Sequence, residues 1–380
     1  MKTITPKNFL FYFLSGTFIS LFFVGVINRV IDPFWYYRDI EIKGLNTIKP
    51  VFRRYERYVK PALLIRDQPE AIILGSSFSE IGFDPTNQYF TNNSLLKSMN
   101  FALAGAPWDM VQCSFEFAAN HAQIKRALIG IHPGDLPVAD CEKVFSKFSE
   151  VSPLELLLST RALDASKETI FGQKTKKISH TKEGMYFYIR GKNKTDSRFK
   201  ILLPKNTSEE GQCNTQNSIK KNPEKMDLSG LDKLINIAKK NNIELTLFAY
   251  PSHAYNLELN NQCNKMESKW DFLREIVKLT ENEPNGLIKV WHFYGYNDIT
   301  TEPINSLPAK YWQDPEHFNF EVGNIMLEEM FGNKRDPSKL GQHINMSNFE
   351  SERQSFFNGR EFYLSNHPEF RKKINALTQN

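Results

Sequence analysis

The sequence predicts an α/β fold with a mostly parallel sheet, carried behind one N-terminal membrane-spanning helix. Three observations predict it: a charge-free apolar run near the N-terminus, short apolar strands alternating with helical spacing from about residue 70 to residue 331, and a globular composition. Of the 380 residues, 41% are hydrophobic and 24% charged. Those values exclude wholesale disorder, collagen and a multi-span membrane protein. Lys and Arg number 48 against 43 Asp and Glu, a net charge of +5 spread along the chain. Nothing there resembles a nucleic-acid footprint. The length allows one large domain or two ordinary ones.

The anchor comes first. Phe9 to Ile27 reads FLFYFLSGTFISLFFVGVI, and no charge lies between Lys7 and Arg29. A bilayer-spanning helix needs roughly 20 mainly apolar residues. A cleavable signal peptide has a shorter apolar region ending at a small-x-small site, and Asn28-Arg29-Val30-Ile31-Asp32-Pro33 offers none. A run apolar on every side also argues against a buried core helix. Residues 1–33 are therefore expected to form an uncleaved single-pass anchor crossing the membrane through residues 9–27. Lys2 and Lys7 nearly balance Arg29 and Arg38, but the very short N-terminal tail favours a cytoplasmic start and an exported remainder. Residues 34–69, aromatic and basic (WYYRD, FRRYERYVK), suit a membrane-proximal linker or helix.

The α/β domain is expected over 70–335. Ala71-Ile72-Ile73-Leu74 reads as a buried strand, Ser98 to Ala102 as a second, and Ala127 to Ile131 as a third. Trp108, Val111, Phe115 and Ala118 give Pro107 to His121 helical spacing. Residues 138–224, rich in Lys, Ser, Thr and Asn, break the rhythm as an insertion. It resumes with a helix at Asp227 to Lys240, a strand at Glu244 to Ala249, a helix at Lys269 to Thr280, a strand at Leu287 to Phe293 and a helix at Glu321 to Phe331. Strands alternating with helices imply a parallel sheet covered on both faces. A helical tail is expected over 336–380.

The four cysteines are Cys113, Cys141, Cys213 and Cys263. Cys213 and Cys263 lie in polar stretches and are the best disulfide pair; Cys113, on a helix face, reads as a buried small hydrophobe. No CxxC or Cys/His cluster, Walker motif or GxGxxG occurs, so neither metal nor cofactor is expected.

In open α/β sheets, function collects at the carboxyl ends of strands. After the first strand comes Gly75-Ser76-Ser77, where a hydroxyl is placed for nucleophilic attack; an ordinary helix cap by Ser76 or Ser77 is the plain alternative. Near the C-terminus, Asp314-Pro315-Glu316-His317 can supply a general base and the carboxylate that orients it, or be only a polar loop. Asn100 to Pro107 holds Gly105, whose N–H could serve an oxyanion hole. Tyr250-Pro251-Ser252-His253 follows another strand end, so Ser252 and His253 could border the cleft; a turn is as good a reading.

Together these blocks resemble the SGNH (GDSL-like) hydrolase superfamily, over roughly residues 70 to 331. The resemblance implies a three-layer, flavodoxin-like parallel sheet. It implies Ser77 as nucleophile, Asp314 and His317 as its partners, and Ser77 and Gly105 as oxyanion donors. Two positions depart from the pattern. Position 76 is Ser rather than Asp, and the third block reads Gly130-Ile131-His132-Pro133-Gly134-Asp135 without the usual Asn. Ser76, His132, Asp135, Ser252 and His253 are candidate substrate contacts. The Gly-Ser-Ser form behind one membrane helix is similar to a subgroup that includes the teichoic-acid D-alanylation protein DltD and the alginate O-acetylation proteins. The segment Phe293 to Pro303 is similar to part of a bacterial membrane-anchored family of this type. The implied function is O-acylation, in particular O-acetylation, of a cell-envelope polysaccharide outside the bacterial inner membrane, with a membrane-bound O-acyltransferase as candidate partner. A carbohydrate esterase or deacetylase, and a non-catalytic glycan-binding scaffold, are the alternatives.

Overall fold

Strands that are buried on both faces need no polar alternation, and the four residues of β1 (Ala71–Leu74, AIIL) are all fully buried. In a computed structural model, which describes residues 5–145, 152–174, 180–187, 226–263, 265–281, 286–303, 309–332 and 340–378, β1 joins β2 (Ser98–Asn100), β3 (Arg126–Ile131), β4 (Glu244–Ala249), β5 (Ile288–His292) and β6 (Gln342–Ile344) in one sheet. The order is β2-β1-β3-β4-β5-β6. The first five strands pair in parallel, with Ala71 opposite Arg126 and Leu74 opposite Ile129, and β6 pairs antiparallel to β5. Helices flank the sheet. The succession 2-1-3-4-5 is a common doubly wound order, which reverses direction between β1 and β3 and leaves a crevice at their carboxyl ends.

The chain divides into two compact units: Met1–Asp67 with Phe148–Lys182, and Gln68–Lys147 with Glu183–Asn380. The sheet belongs to the second. Its Trp108–His121, Ser229–Lys240, Lys265–Thr280 and Phe320–Phe331 helices match the expected helices to within a few residues. Two elements differ from expectation. Residues 250–254 lead into a helix, Ala254–Gln262, whose apolar residues have no helical period; the His253 side chain caps it, Nδ1 accepting the Tyr255 N–H at 3.3 Å. β6 lies in the segment expected to be purely helical. The helices Phe349–Asn366 and Pro368–Thr378 follow it, and the Trp270 ring packs against Phe349 and Phe356 with centroids 5.7 and 5.8 Å apart.

Cys113 is fully buried, as expected, but it is not a plain hydrophobe: it forms a disulfide with Cys141, with the Cα atoms 5.2 Å apart. The bond ties the Trp108–His121 helix to the short Cys141–Phe145 helix. The expected Cys213–Cys263 pair lies outside the described residues, because Cys213 does.

The first unit carries the Pro6–Ile31 helix, 26 residues long and apolar enough to cross a bilayer. Its phenylalanines are largely uncovered by protein, Phe9, Phe11, Phe13 and Phe18 being 60–73% exposed. The segment expected to be a membrane-proximal linker or helix contains the Phe52–Asp67 helix, and the fully buried Lys49 donates to the Ile31 carbonyl at 2.8 Å. The Pro153–Leu158 and Thr160–Gly172 helices, expected within an insertion into the α/β domain, group with this N-terminal unit. Within that expected insertion, residues 146–151, 175–179 and 188–224 lie outside the described residues.

One contact brings distant segments of the second unit together. A Cβ on Gly82 would meet the Phe318 ring at 2.2 Å, and one on Gly323 would meet the Gly82 carbonyl oxygen at 1.7 Å. Replacing an interior helical Gly by Ala in open space stabilises by about 1 kcal/mol. Gly323→Ala is expected instead to destabilise the protein by about 1–3 kcal/mol or more, measured by urea unfolding. A stabilised variant would contradict the close approach.

Candidate active site

Gly75 turns the chain at the end of β1 with φ +138°, and a Cβ there would lie 2.2 Å from Tyr250 Oη and 2.5 Å from Ser79 Oγ. Only glycine fits both the dihedral and the space. Ser76 follows in extended conformation at the N-cap of the Ser77–Gly82 helix, yet its hydroxyl makes no capping bond. It instead hydrogen-bonds His132 Nε2 at 3.0 Å. His132 directly follows β3, so this bond bridges the crevice where the strand order reverses. Asn100, fully buried at the end of β2, donates from Nδ2 to the Ser79 and Phe83 carbonyls at 2.9 and 3.0 Å and holds the short helix from below.

Ser77 Oγ lies 2.9 Å from His317 Nε2, although the two residues are 240 positions apart. His317 Nδ1 lies 3.0 and 3.1 Å from the two Asp314 carboxylate oxygens. With Nδ1–H donating to that carboxylate, Nε2 is left to accept from the Ser77 hydroxyl. The Phe78 ring stacks on the imidazole at 4.3 Å between centroids. Asp314 is fully buried and also accepts the N–H groups of Glu316 at 3.0 Å and His317 at 2.8 Å. Burial alone would raise its pKa, but the hydrogen bonds from His317 and Glu316 and the imidazole's charge hold the carboxyl down at about 2. It is a carboxylate at any working pH.

The remaining candidates separate. Gly105 sits on an exposed loop with φ +61°, and that loop is tied to the Ser77 turn by the Leu103 N–H donating to the Gly75 carbonyl at 3.2 Å. Asp135 accepts the Asp227 N–H at 3.0 Å, fastening its loop to the chain ahead of the Ser229–Lys240 helix. Ser252 and His253 are buried. His253 Nε2 bonds the Glu302 carbonyl at 2.8 Å, and the His253 backbone N–H donates to the Pro315 carbonyl at 3.2 Å. It is thus a strut beneath the Asp314 loop, and a buried ring with both nitrogens engaged has no group left for a ligand. The Glu302 carboxylate braces the same loop, accepting the N–H groups of Lys310 and Tyr311.

Tyr250 was not among the sequence candidates, although its place at the carboxyl end of β4 is a signal the strand-end rule could have used. Its buried hydroxyl bonds Ser79 Oγ at 2.8 Å, and its ring packs against His132 and Phe78. Burial pushes its pKa up to about 12, so it stays a neutral hydrogen-bonding group. Lys269, also unanticipated, places positive charge near His132 and Glu316. Burial lowers its pKa to about 8, while Glu316 pulls the other way. No sequence pattern marks a lysine whose role depends on where its helix packs.

Two buried histidines are expected to make the unit acid-sensitive. Burial lowers His253 to about 4, and His292, 3% exposed, to about 3. At pH 5 both are neutral in the fold and protonated when unfolded, so the unfolded state binds more protons and stability falls as pH drops below about 6.5. The melting temperature is expected to fall by several degrees from pH 7 to pH 5. His292→Phe should shrink that loss, and an undiminished loss would contradict the assignment for His292. No protein-family model and no curated protein matches the chain, which leaves the chemistry of these side chains as the guide to function.

Proposed function

We propose that this protein is a membrane-anchored serine acyltransferase that O-acylates, and in particular O-acetylates, a cell-envelope polysaccharide through an acyl-Ser77 intermediate. The observation that carries the reading is the Ser77–His317–Asp314 relay, with 2.9 Å between hydroxyl and imidazole and 3.0 Å between imidazole and carboxylate. Ser77 Oγ attacks the acyl carbonyl of the donor as its proton passes to His317 Nε2. The oxyanion takes hydrogen bonds from the Ser77 and Gly105 N–H groups. Collapse of the intermediate expels the donor's leaving group, which takes the proton from Nε2. A glycan hydroxyl then gives its proton to Nε2 and attacks the acyl carbon, and release of Ser77 Oγ restores the starting state. Asp314 holds the tautomer and stabilises the imidazolium in both halves.

Three further features support the reading. The doubly wound strand order and the position of the site at the carboxyl ends of its strands agree with an SGNH-like architecture. The Pro6–Ile31 helix suits an anchor. The Cys113–Cys141 disulfide suits an oxidising compartment, and hence an exported domain. Ser76 and His132, held together at the mouth of the crevice, stand where the superfamily carries Asp and Asn.

Ser77→Ala removes one small hydroxyl and leaves the packing intact. In cells making the variant at normal levels, alkali-releasable acyl ester on envelope polysaccharide is expected to disappear. The purified full-length variant is expected to lose at least about a thousandfold in acyl transfer to a soluble oligosaccharide. Unchanged ester content and unchanged transfer would leave a glycan-binding scaffold. Acyl release to water that an oligosaccharide acceptor does not divert would mark an esterase.

A further inference from the structure

The Pro153–Leu158 helix reads PLELLL and lies directly against the apolar stretch of the N-terminal helix. A Cβ on Gly25 would come 3.2 Å from Leu158 Cδ2 and 3.6 Å from Leu157 Cγ, so the two leucines pack closely on the N-terminal helix at this glycine. Asn28, fully buried one turn further on, fixes the arrangement. Its Nδ2 donates to the Leu157 carbonyl at 2.8 Å, and its Oδ1 accepts the Ser166 hydroxyl at 2.8 Å. Gly25 precedes Ile27, the last residue of the apolar stretch, by about 3 Å of helix rise. The two leucines therefore meet the N-terminal helix at a depth where that helix is still apolar.

A groove of about 430 Å³ runs along this contact, lined by Phe18, Leu21, Phe22 and Val26, by Leu157 and Leu158, and ending at Arg29. From Phe18 to Arg29 is about 16 Å of helix, close to half of the roughly 30 Å hydrocarbon core of a bilayer. The groove is confined to the second half of the apolar stretch, the depth of one leaflet and hence of a single acyl chain. Leu154, on the same short helix, is 64% exposed with no polar group beside it on the Leu154–Leu158 run other than Glu155. Glu155 interacts with Tyr58 and Arg161.

We propose that Pro153–Leu158 is a second membrane contact: the helix lies submerged in the leaflet through which the anchor leaves the bilayer, and the groove seats one lipid acyl chain. The inference rests on the anchor reading and is independent of the chemistry at Ser77.

The test places the photocrosslinker p-benzoylphenylalanine at Leu154 in one full-length protein and at Phe13 in another, each reconstituted in phosphatidylethanolamine–phosphatidylglycerol bilayers. Leu154 and Phe13 are 64% and 60% exposed, so neither probe needs space inside the fold. After irradiation, mass spectrometry is expected to find lipid adducts at both positions, with the Leu154 yield at least half that at Phe13. Lipid adducts at Phe13 with none at Leu154 would overturn the inference and leave the anchor standing. Adducts of Leu154 to a second protein chain would overturn it in favour of a protein contact. No lipid adduct at either position would remove the anchor, and the inference with it.

Discussion

The backbone of the Phe320–Phe331 helix meets that of the Ser77–Gly82 helix at Gly323 and Gly82, with the Phe318 ring laid on Gly82. Everything at the site depends on this approach. It delivers the residue next to Phe318, His317, to the hydroxyl of a residue 240 positions earlier. No side chain at either glycine could be accommodated without separating the two segments, and a fully buried Phe318 makes the separation costly. The Trp312–Phe318 bridge and the Gln313 N–H donating to the His317 carbonyl at 2.7 Å then close the loop that carries Asp314 and His317 into a tight hairpin. Packing brings the two segments together; the loop's own hydrogen bonds aim the imidazole.

Given that placement, the electrostatics follow. Asp314 is buried but surrounded by donors, so it keeps its charge, and a fixed negative charge behind Nδ1 would stabilise an imidazolium if Nε2 took a proton. The opposite wall of the crevice is built differently. Ser76 and His132 hold each other there, and Tyr250 fills the space that glycines at 75 and 130 leave open, since a Cβ on Gly130 would lie 2.0 Å from Tyr250 Oη. Two adjacent serines thus face two different histidines, and only Ser77 has a histidine backed by a carboxylate among the described residues.

Much of this was legible in the sequence, for identifiable reasons. Gly75-Ser76-Ser77 follows a short, fully apolar strand, and Asp314 and His317 stand three apart just before an amphipathic helix. Each is a local pattern, and local patterns survive in one dimension. The elements that were not legible depend on the third. β6 is three residues long, too short to show alternation. The Ala254–Gln262 helix has no apolar stripe, because its burial is divided among several neighbours, and its cap is a histidine rather than a Ser, Asp or Asn. Cys141 stands in a polar stretch with nothing to say that the Trp108–His121 helix runs beside it. The association of the 153–172 helices with the N-terminal segment is likewise a matter of which apolar faces meet, and the intervening hundred residues carry no trace of it.

The central claim, that Ser77 rather than its neighbour is the activated hydroxyl, is most directly tested by covalent trapping with an alkyl fluorophosphonate, which modifies only a serine whose proton can be withdrawn. Intact-mass and peptide analysis should show one adduct per chain, on Ser77. Labelling should be lost in Ser77→Ala, slowed by orders of magnitude in His317→Ala, and retained in Ser76→Ala. An adduct on Ser76, or labelling of Ser77 that is indifferent to His317, would contradict the account.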